Sequence, residues 1–159
     1  LLQKGEIDLA VTAIEKKPAL GLHSVALVEL PLVLLVEKNS RVTAAKQLWQ
    51  QDRIEEPLVC LPAPEVISKN FQQGLGRLGV DWFPGIEVSS VDLIETYVAG
   101  GFGIGVSVRV PRAQLPSNVR EVPLAGFAPV VLGVLWRGKT SVILKAFLDE
   151  FQLRAKRFT

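Results

Sequence analysis

Residues 89–106, SSVDLIETYVAGGFGIGV, constrain the fold of this chain more than any other stretch. They read as a serine-capped helix that passes through a glycine-rich turn into a buried strand. Ser89 and Ser90 can cap the helix, and Asp92 follows Ser89 at the spacing of a capping box. The two glycines at 100–101 then end the helix. A helix that leads at once into an apolar strand is typical of α/β proteins.

Short runs rich in Val, Leu and Ile alternate with amphipathic segments along the chain. Because these runs are continuous rather than interrupted by polar residues, we expect many strands to be buried on both faces, in largely parallel sheets. Gly74 and Gly76 are expected to shorten or bend the second helix. Strands are predicted at 7–14, 24–30, 32–36, 57–61, 85–89, 103–108, 119–123 and 130–136. Helices are predicted at 43–51, 65–78, 90–99 and 140–156.

The order of these elements favours two lobes over one. The chain has 159 residues, 48% of them hydrophobic, which is enough for one compact unit or two small ones. The chain enters a middle β-α-β-α block at 41–101 once and leaves it once. This is expected for a lobe that is inserted into another lobe. Since the chain has no methionine and opens on what reads as a helix end, we expect an excerpt of a longer protein. Residues 7–11 would then be an interior, parallel strand with neighbours outside this sequence.

The composition argues against several classes of function. A net charge of +2 does not favour binding to nucleic acid or to an acidic membrane surface. The longest apolar run, 30–36, is far shorter than the roughly 20 residues that span a bilayer. His23 and Cys60 are the only histidine and cysteine, so this chain alone cannot supply a histidine cluster or a cysteine–histidine zinc site. We expect no metal, no cofactor and no catalytic residue.

The glycines at 101, 103 and 105 are spaced as in a nucleotide-binding loop, but their context differs. They follow a helix and precede a strand, which is the reverse of a dinucleotide-binding turn. We interpret them as positions where the backbone packs closely.

Three positions are candidates for binding a small ligand. Helix N-termini offer unpaired N–H groups and a partial positive charge, and strand ends at a crevice are where open α/β sheets bind small molecules. For the two serines, plain helix capping is an equally good interpretation. The candidate residues are Thr12 and Ala13 at the end of the first strand, Pro62 and Ala63 before the second helix, and Ser89 and Ser90 before the third.

Three stretches resemble the effector-binding domains of LysR-type transcription regulators. Residues 1–11, LLQKGEIDLAV, resemble that family's early strand, and residues 89–106 resemble its late helix and strand. Residues 131–151, VLGVLWRGKTSVILKAFLDEF, resemble its final strand and helix. The resemblance follows the family's order along essentially the whole chain. It implies a periplasmic-binding-protein-like fold of type 2, with two α/β lobes joined by two crossing strands around a ligand cleft.

The resemblance also assigns residues to lobes. In that family the residue after the early strand and the loop after the middle-lobe strand face the effector, which supports Thr12, Pro62 and Ala63. Lobe one would be incomplete, because the family has further strand and helix units ahead of the early strand. The mapping gives lobe one at 1–31 and 108–159, lobe two at 38–107, and crossing segments near 32–37 and 105–110.

The function that the resemblance implies is sensing, not catalysis. The domain would bind a small-molecule effector, a metabolite, between its lobes, in a cytoplasmic regulator that does not contact the membrane. It would associate as a dimer or tetramer and reach DNA only through an N-terminal domain that precedes this sequence. Two alternatives stay open: a solute-binding protein that works outside the membrane, and an enzyme on this fold, against which the scarcity of His, Tyr and Cys argues. We also expect the chain to expose apolar strand edges and to pair with another copy.

Overall fold

The computed structural model describes residues 1–2, 4–14 and 20–158, the side chain of the last of these excepted. The chain divides into two units, of which unit 1 comprises Leu1–Leu30 and Val130–Thr159 and unit 2 comprises Pro31–Pro129. The strands are β1 (Leu9–Ala13), β2 (Leu22–Leu30), β3 (Leu32–Glu37), β4 (Leu58–Cys60), β5 (Pro84–Glu87), β6 (Ile104–Val108), β7 (Val119–Pro123) and β8 (Val130–Arg137). The helices are α1 (Lys46–Trp49), α2 (Val66–Leu78), α3 (Val91–Ala99) and α4 (Val142–Phe158).

These elements confirm the predicted α/β class, and each predicted strand and helix is present with bounds that differ by a few residues. The predicted direction of the strands is only partly correct. The sheet of unit 1 is antiparallel throughout, and the sheet of unit 2 is mixed. A continuous apolar run signals burial on both faces, but it does not determine the direction of the neighbouring strand.

Unit 1 contains a three-stranded sheet in the order β1-β8-β2. Strand β1 pairs with β8 from Leu9 opposite Trp136 to Ala13 opposite Leu132. Within the described residues β1 is antiparallel to β8, its one neighbour there. The prediction that residues 7–11 form an interior strand with parallel neighbours outside this sequence stays a prediction. Strand β2 pairs with the other side of β8 and carries a bulge between Ala26 and Val28.

Helix α4 packs against this sheet, where it contacts β2. Ser141 caps its start, since the Ser141 hydroxyl oxygen accepts a hydrogen bond of 3.2 Å from the Leu144 N–H. Leu144 and Ala155 are buried, whereas Ile143 and Phe147 are exposed. The apolar surface of α4 is therefore wider than the part that the described sheet covers.

Unit 2 contains a five-stranded sheet in the order β5-β4-β6-β3-β7. Strand β4 is parallel to β5 and β6, whereas β3 is antiparallel to β6 and β7. Because β7 pairs with β3, residues 108–129 belong to unit 2, although the sequence mapping placed them in lobe one. The chain enters unit 2 at Pro31 and leaves it at Pro129.

An aromatic cluster closes one part of the core of unit 2. Phe71 stacks on Phe127 with ring centroids 5.6 Å apart and meets Trp82 edge to face at 6.0 Å. Gly74 is needed here, because a β-carbon at this position would overlap the Phe127 ring. The prediction that glycines shorten this helix is wrong, because α2 runs to Leu78. It ends at Gly79, whose φ of 67° is the left-handed conformation of a helix C-cap.

The predicted close packing at the glycine-rich turn is confirmed. A β-carbon on Gly105 would lie 2.5 Å from Ile94 Cγ2 and 2.8 Å from Val98 Cγ2. Ile94 and Val98 belong to α3. Because Gly105 in β6 has no side chain, this helix packs directly against the strand. This contact holds α3 close to β6, and the start of the same helix belongs to the candidate site.

Candidate ligand-binding site

The ends of two parallel strands bring four of the six candidate residues to one edge of the sheet in unit 2. Cys60, the last residue of β4, pairs with Glu87, the last residue of β5. The Val88 N–H continues this pairing by donating to the Cys60 carbonyl oxygen at 3.0 Å. The loop that contains Pro62 and Ala63 and the turn that contains Ser89 and Ser90 leave the sheet next to each other from these ends.

A buried hydroxyl holds the first of these two loops in place. Ser68, which is only 4% exposed, donates a hydrogen bond of 2.6 Å to the carbonyl oxygen of Leu61. The Glu65 N–H donates to the Pro62 carbonyl oxygen at 3.0 Å and closes a turn. Pro62 and Ala63 lie on the exposed outer side of this turn. The loop is therefore fixed at both ends while its tip is open to solvent.

Helix α2 begins at this loop without a capping side chain. Its N-cap residue, Glu65, has extended backbone angles and makes no side-chain hydrogen bond to the first turn. A side chain usually satisfies one of the first N–H groups of a helix. The first turn of α2 therefore offers donor groups and the positive end of the helix dipole next to the exposed loop.

Helix α3 begins differently, because a serine caps it. The Ser90 hydroxyl oxygen accepts a hydrogen bond of 3.3 Å from the Leu93 N–H. The capping residue is thus Ser90, so the predicted capping box of Ser89 and Asp92 is not formed. Leu93 occupies the third position after the cap, where a capping box has an acidic or amide side chain. Ser89 is exposed and Ser90 is half-buried. The Ser90 hydroxyl hydrogen is not used in its cap bond and can still be donated.

The remaining two candidates, Thr12 and Ala13, lie in unit 1 at the end of β1. Thr12 pairs with Gly133 and Ala13 with Leu132 across the sheet. Thr12 is exposed and Ala13 is half-buried. Pro62, Ala63, Ser89 and Ser90 thus lie together within unit 2. Thr12 and Ala13 lie at the end of a strand in unit 1.

Glu65 and Glu87 place carboxylates near the site, Lys69 lies in the first turn of α2, and the cysteine there is neutral. Burial raises the pKa of the Cys60 thiol, the Glu87 carboxylate raises it further, and a hydrogen bond with Ser68 lowers it. The net direction is upward, so the thiol stays protonated at neutral pH and is a poor nucleophile. Cys60 is 2% exposed and belongs to the core of unit 2.

The described residues do not form a metal centre. Within residues 1–2, 4–14 and 20–158, no three His, Cys, Asp or Glu side chains lie close enough to hold one ion. None of the helices in these ranges has the length and apolar content that a membrane crossing requires.

Sequence reasoning missed Ser68 as a residue that positions the site. The signal was present, because Ser68, Phe71 and Leu75 follow the i, i+3, i+7 spacing of one helix face. A serine on a buried face needs a hydrogen-bond partner, and the nearest carbonyl that is not part of the helix belongs to the site loop.

The sequence matches the family model of the LysR substrate binding domain over residues 1–155. The chain belongs to this family. Among curated proteins, none matches the sequence significantly. The family match confirms the resemblance that the strand and helix motifs indicated, and solved structures of LysR proteins confirm the periplasmic-binding-protein-like fold.

Solved structures of this fold include a regulator, a regulatory domain and an effector-binding domain. HinK, a LysR family transcriptional regulator from Pseudomonas aeruginosa, matches with a TM-score of 0.81 and 18% identity over 99% of this chain and 56% of its own. The regulatory domain of Synechocystis PCC6803 CcmR in complex with 2-PG matches with a TM-score of 0.79 and 21% identity, over 98% of this chain and 76% of its own. The effector-binding domain of BenM with its effector benzoate matches with a TM-score of 0.77 and 19% identity, over 99% of this chain and 74% of its own.

These identities are low, so the likeness shows the fold. This LysR substrate binding domain spans a little over half the length of HinK.

Proposed function

We propose that this LysR substrate binding domain binds a small-molecule effector at the adjoining loops that follow β4 and β5. Pro62 and Ala63 would form one wall, and Ser89 and Ser90 the other. The observation that carries the proposal is the first turn of α2, which no side chain caps and which begins beside the Ser90-capped start of α3. Two helix starts at one sheet edge give several N–H and O–H donors to a single ligand.

The surrounding charges limit the chemistry of the ligand. Glu65 and Glu87 are both exposed and lie at the two strand ends that form the site. They disfavour a ligand with several negative charges, because unscreened like charges repel at short range. The loop of Pro62 and Ala63 offers no hydroxyl. We therefore propose a neutral or singly charged ligand, with one acceptor group directed to α2 and an apolar part against the loop.

Thr12 and Ala13 are proposed as a further ligand-binding position in unit 1. The exposed Thr12 hydroxyl can donate or accept one hydrogen bond. The support for this position is the resemblance to LysR-type effector-binding domains, in which the residue after the early strand faces the effector.

At the level of the whole protein, we propose a cytoplasmic transcription regulator that is not an enzyme. Its DNA contacts would come from a domain outside these 159 residues, and it would act as a dimer or tetramer. Ligand binding would shift its conformational equilibrium through different affinities for two states, a coupling of about 1–3 kcal/mol in typical cases. Gel mobility shifts of the full-length regulator on its own upstream DNA would test this, since bound DNA should change with the ligand that the isolated domain binds.

The binding site is tested by calorimetric titration of the 159-residue chain with a panel of monocarboxylates. Benzoate is the first probe, because the effector-binding domain of BenM binds it. Replacing Ser90 with Ala should weaken binding of a positive hit about two- to tenfold, through loss of one hydrogen bond and the cap. Ser117→Ala is the matched control, since Ser117 is an exposed serine of another loop. An affinity that Ser90→Ala leaves unchanged would contradict the proposed site.

A further inference from the structure

Residues 126–129, here called the exit segment, lead the chain out of unit 2 and into β8. They run along α2 in the direction opposite to that of the helix. The guanidinium group of Arg77, in the last turn of α2, donates to the Gly126 carbonyl oxygen at 3.3 Å. The Phe127 ring fills the space that Gly74 leaves open about one turn earlier. The exit segment therefore approaches the start of α2, which belongs to the candidate ligand site.

Asn70 continues this series of contacts toward the start of the helix. Its side-chain amide group donates a hydrogen bond of 3.3 Å to the Ala128 carbonyl oxygen and one of 3.0 Å to the Pro129 carbonyl oxygen. The Asn70 side chain is half-buried. Because Pro129 is the last residue of unit 2, one side chain of α2 holds the point at which the chain leaves this unit.

The same stretch of α2 also holds the loop of the candidate site. Ser68, two residues before Asn70, donates to the Leu61 carbonyl oxygen at 2.6 Å. The first five residues of α2 thus bond to the site loop through Ser68 and to the exit segment through Asn70. Backbone hydrogen bonds link successive turns of an α-helix, so neighbouring residues of a helix move together. A displacement of the start of α2 therefore acts on both segments.

We propose that Asn70 is a positioning residue that couples the loop of the candidate site, and with it ligand binding, to the exit segment. The ligand part of this proposal rests on the function proposed above. A ligand that accepts hydrogen bonds from the uncapped N–H groups of α2 favours one position of the first turn over another. Asn70 passes this displacement to the carbonyl groups of Ala128 and Pro129, and so to the chain that continues into β8.

The rest of the exit segment is anchored by packing, which leaves its last two residues to Asn70. The ring centroid of Phe127 lies 5.6 Å from that of Phe71 and 6.2 Å from that of Trp49. Closely packed rings in a core resist small displacements. Ala128 and Pro129 have no polar atom in their side chains. Their backbone carbonyl groups are therefore the polar groups through which a side chain of α2 can position them.

The first test needs no ligand and follows the carbonyl ¹³C signals of Ala128 and Pro129 by NMR, since these signals respond to hydrogen bonds at the oxygen. Ser68→Ala releases the site loop and should shift both signals, whereas the exposed Ser117→Ala should shift neither. In a chain that already carries Asn70→Leu, which removes the donor group, Ser68→Ala should shift them less than about a third as far. Asn70→Ala should give the same result, so that side-chain bulk does not explain it. Carbonyl signals that Ser68→Ala leaves unmoved in the natural chain would overturn the proposal.

The second test adds the panel of monocarboxylates. Asn70→Leu should bind a positive hit within about threefold of the natural affinity, because the Asn70 amide bonds to the exit segment and not to the site loops. The ligand-induced shifts of the Ala128 and Pro129 carbonyl signals should fall by about two thirds or more. Gln73→Leu, at an exposed position of the same helix, should preserve both affinity and shifts. Ligand-induced shifts that persist in Asn70→Leu would refute the coupling. Failure of every panel member to bind would count against the proposed function, and the ligand-free test then decides whether Asn70 links the two segments.

Discussion

Unit 2 encloses its central strands, whereas unit 1 leaves much of its apolar surface open. Residues Leu32–Val36 of β3 are all buried, and two helices, α2 and α3, contact the sheet. In unit 1, α4 is the helix that contacts the sheet in the described part of the chain. The buried hydrophobic residues described there are Leu2, Leu30, Val130, Val134, Leu144 and Ala155. The same kind of apolar sequence thus forms a core in one unit and an exposed surface in the other.

The difference follows from how many elements cover each sheet. A continuous apolar strand is stable only where both of its faces are covered. The candidate site at the starts of α2 and α3 lies on the well-covered unit. A rigid sheet with helices packed on it supports ligand-binding loops in fixed positions.

Matched truncations of one phenylalanine in each unit should give the largest difference. Phe71→Ala removes a fully buried ring from the aromatic cluster and should lower the free energy of unfolding by about 3–5 kcal/mol. Phe147→Ala removes an exposed ring from α4 and should cost about 0.5 kcal/mol or less in a monomer. Urea unfolding followed by circular dichroism measures both. Equal losses would contradict the contrast between the two units.

Removal of the Ser68 hydroxyl should have the next largest effect. Ser68→Ala leaves the buried Leu61 carbonyl oxygen without its 2.6 Å donor, which should cost about 1–3 kcal/mol of stability. It should also weaken binding of any monocarboxylate that the chain binds, because the site loop loses its fixed end. Ser117→Ala again serves as the exposed control. An unchanged midpoint of urea unfolding would show that this bond does not hold the loop.

The two serine caps allow a direct comparison of the helices. Ser90→Ala and Ser141→Ala each remove one accepted N–H bond, at the start of α3 and of α4. Each should cost about 1 kcal/mol. Since α3 contacts β3, β4 and β6, the loss at Ser90 should appear in the unfolding of unit 2 as a whole. The loss at Ser141 should appear mainly as faster hydrogen exchange in the first turn of α4. Faster exchange confined to the first turn in both helices would remove this distinction.

The smallest effect concerns Glu95 in α3. Burial raises the pKa of its carboxyl, and the charge of Asp92 raises it further. Because the pKa is raised in the folded state, the contribution of Glu95 to stability is most favourable at low pH and falls as the pH rises through that pKa. Glu95→Gln should therefore raise the melting temperature slightly at pH 7 and change it little near pH 3, in contrast to the exposed Glu55→Gln. A destabilised Glu95→Gln at pH 7 would reverse the expected sign.

The positions of strands and helices were predictable because their signals are local. Apolar runs, serine caps and terminal glycines lie within a few residues of the elements that they define. Gly74 misled the prediction for α2, since its role depends on Phe127, which lies far along the chain. Helix propensity describes the free-energy cost of placing a glycine in a helix. It contains no information on the space that the Phe127 ring takes up beside Gly74.

Strand direction and the assignment of residues 108–129 were not predictable in the same way. Both depend on which strands become neighbours, and β7 pairs with β3 across a long separation in sequence. The four candidates of unit 2 could be predicted from helix starts after strands. The uncapped start of α2 could not be predicted from the sequence. Glu65 is an acidic residue at a position where its side chain could have capped the helix.

The most direct test of the ligand site is an NMR titration of the ¹⁵N-labelled chain with benzoate and the other monocarboxylates. A ligand bound at the proposed site should shift the amide signals of Ala63, Val66–Ser68, Ser89 and Ser90 first and most strongly, with saturation at a single affinity. Amide shifts that map instead to α4, or no saturable shift with any member of the panel, would contradict ligand binding at the loops that follow β4 and β5.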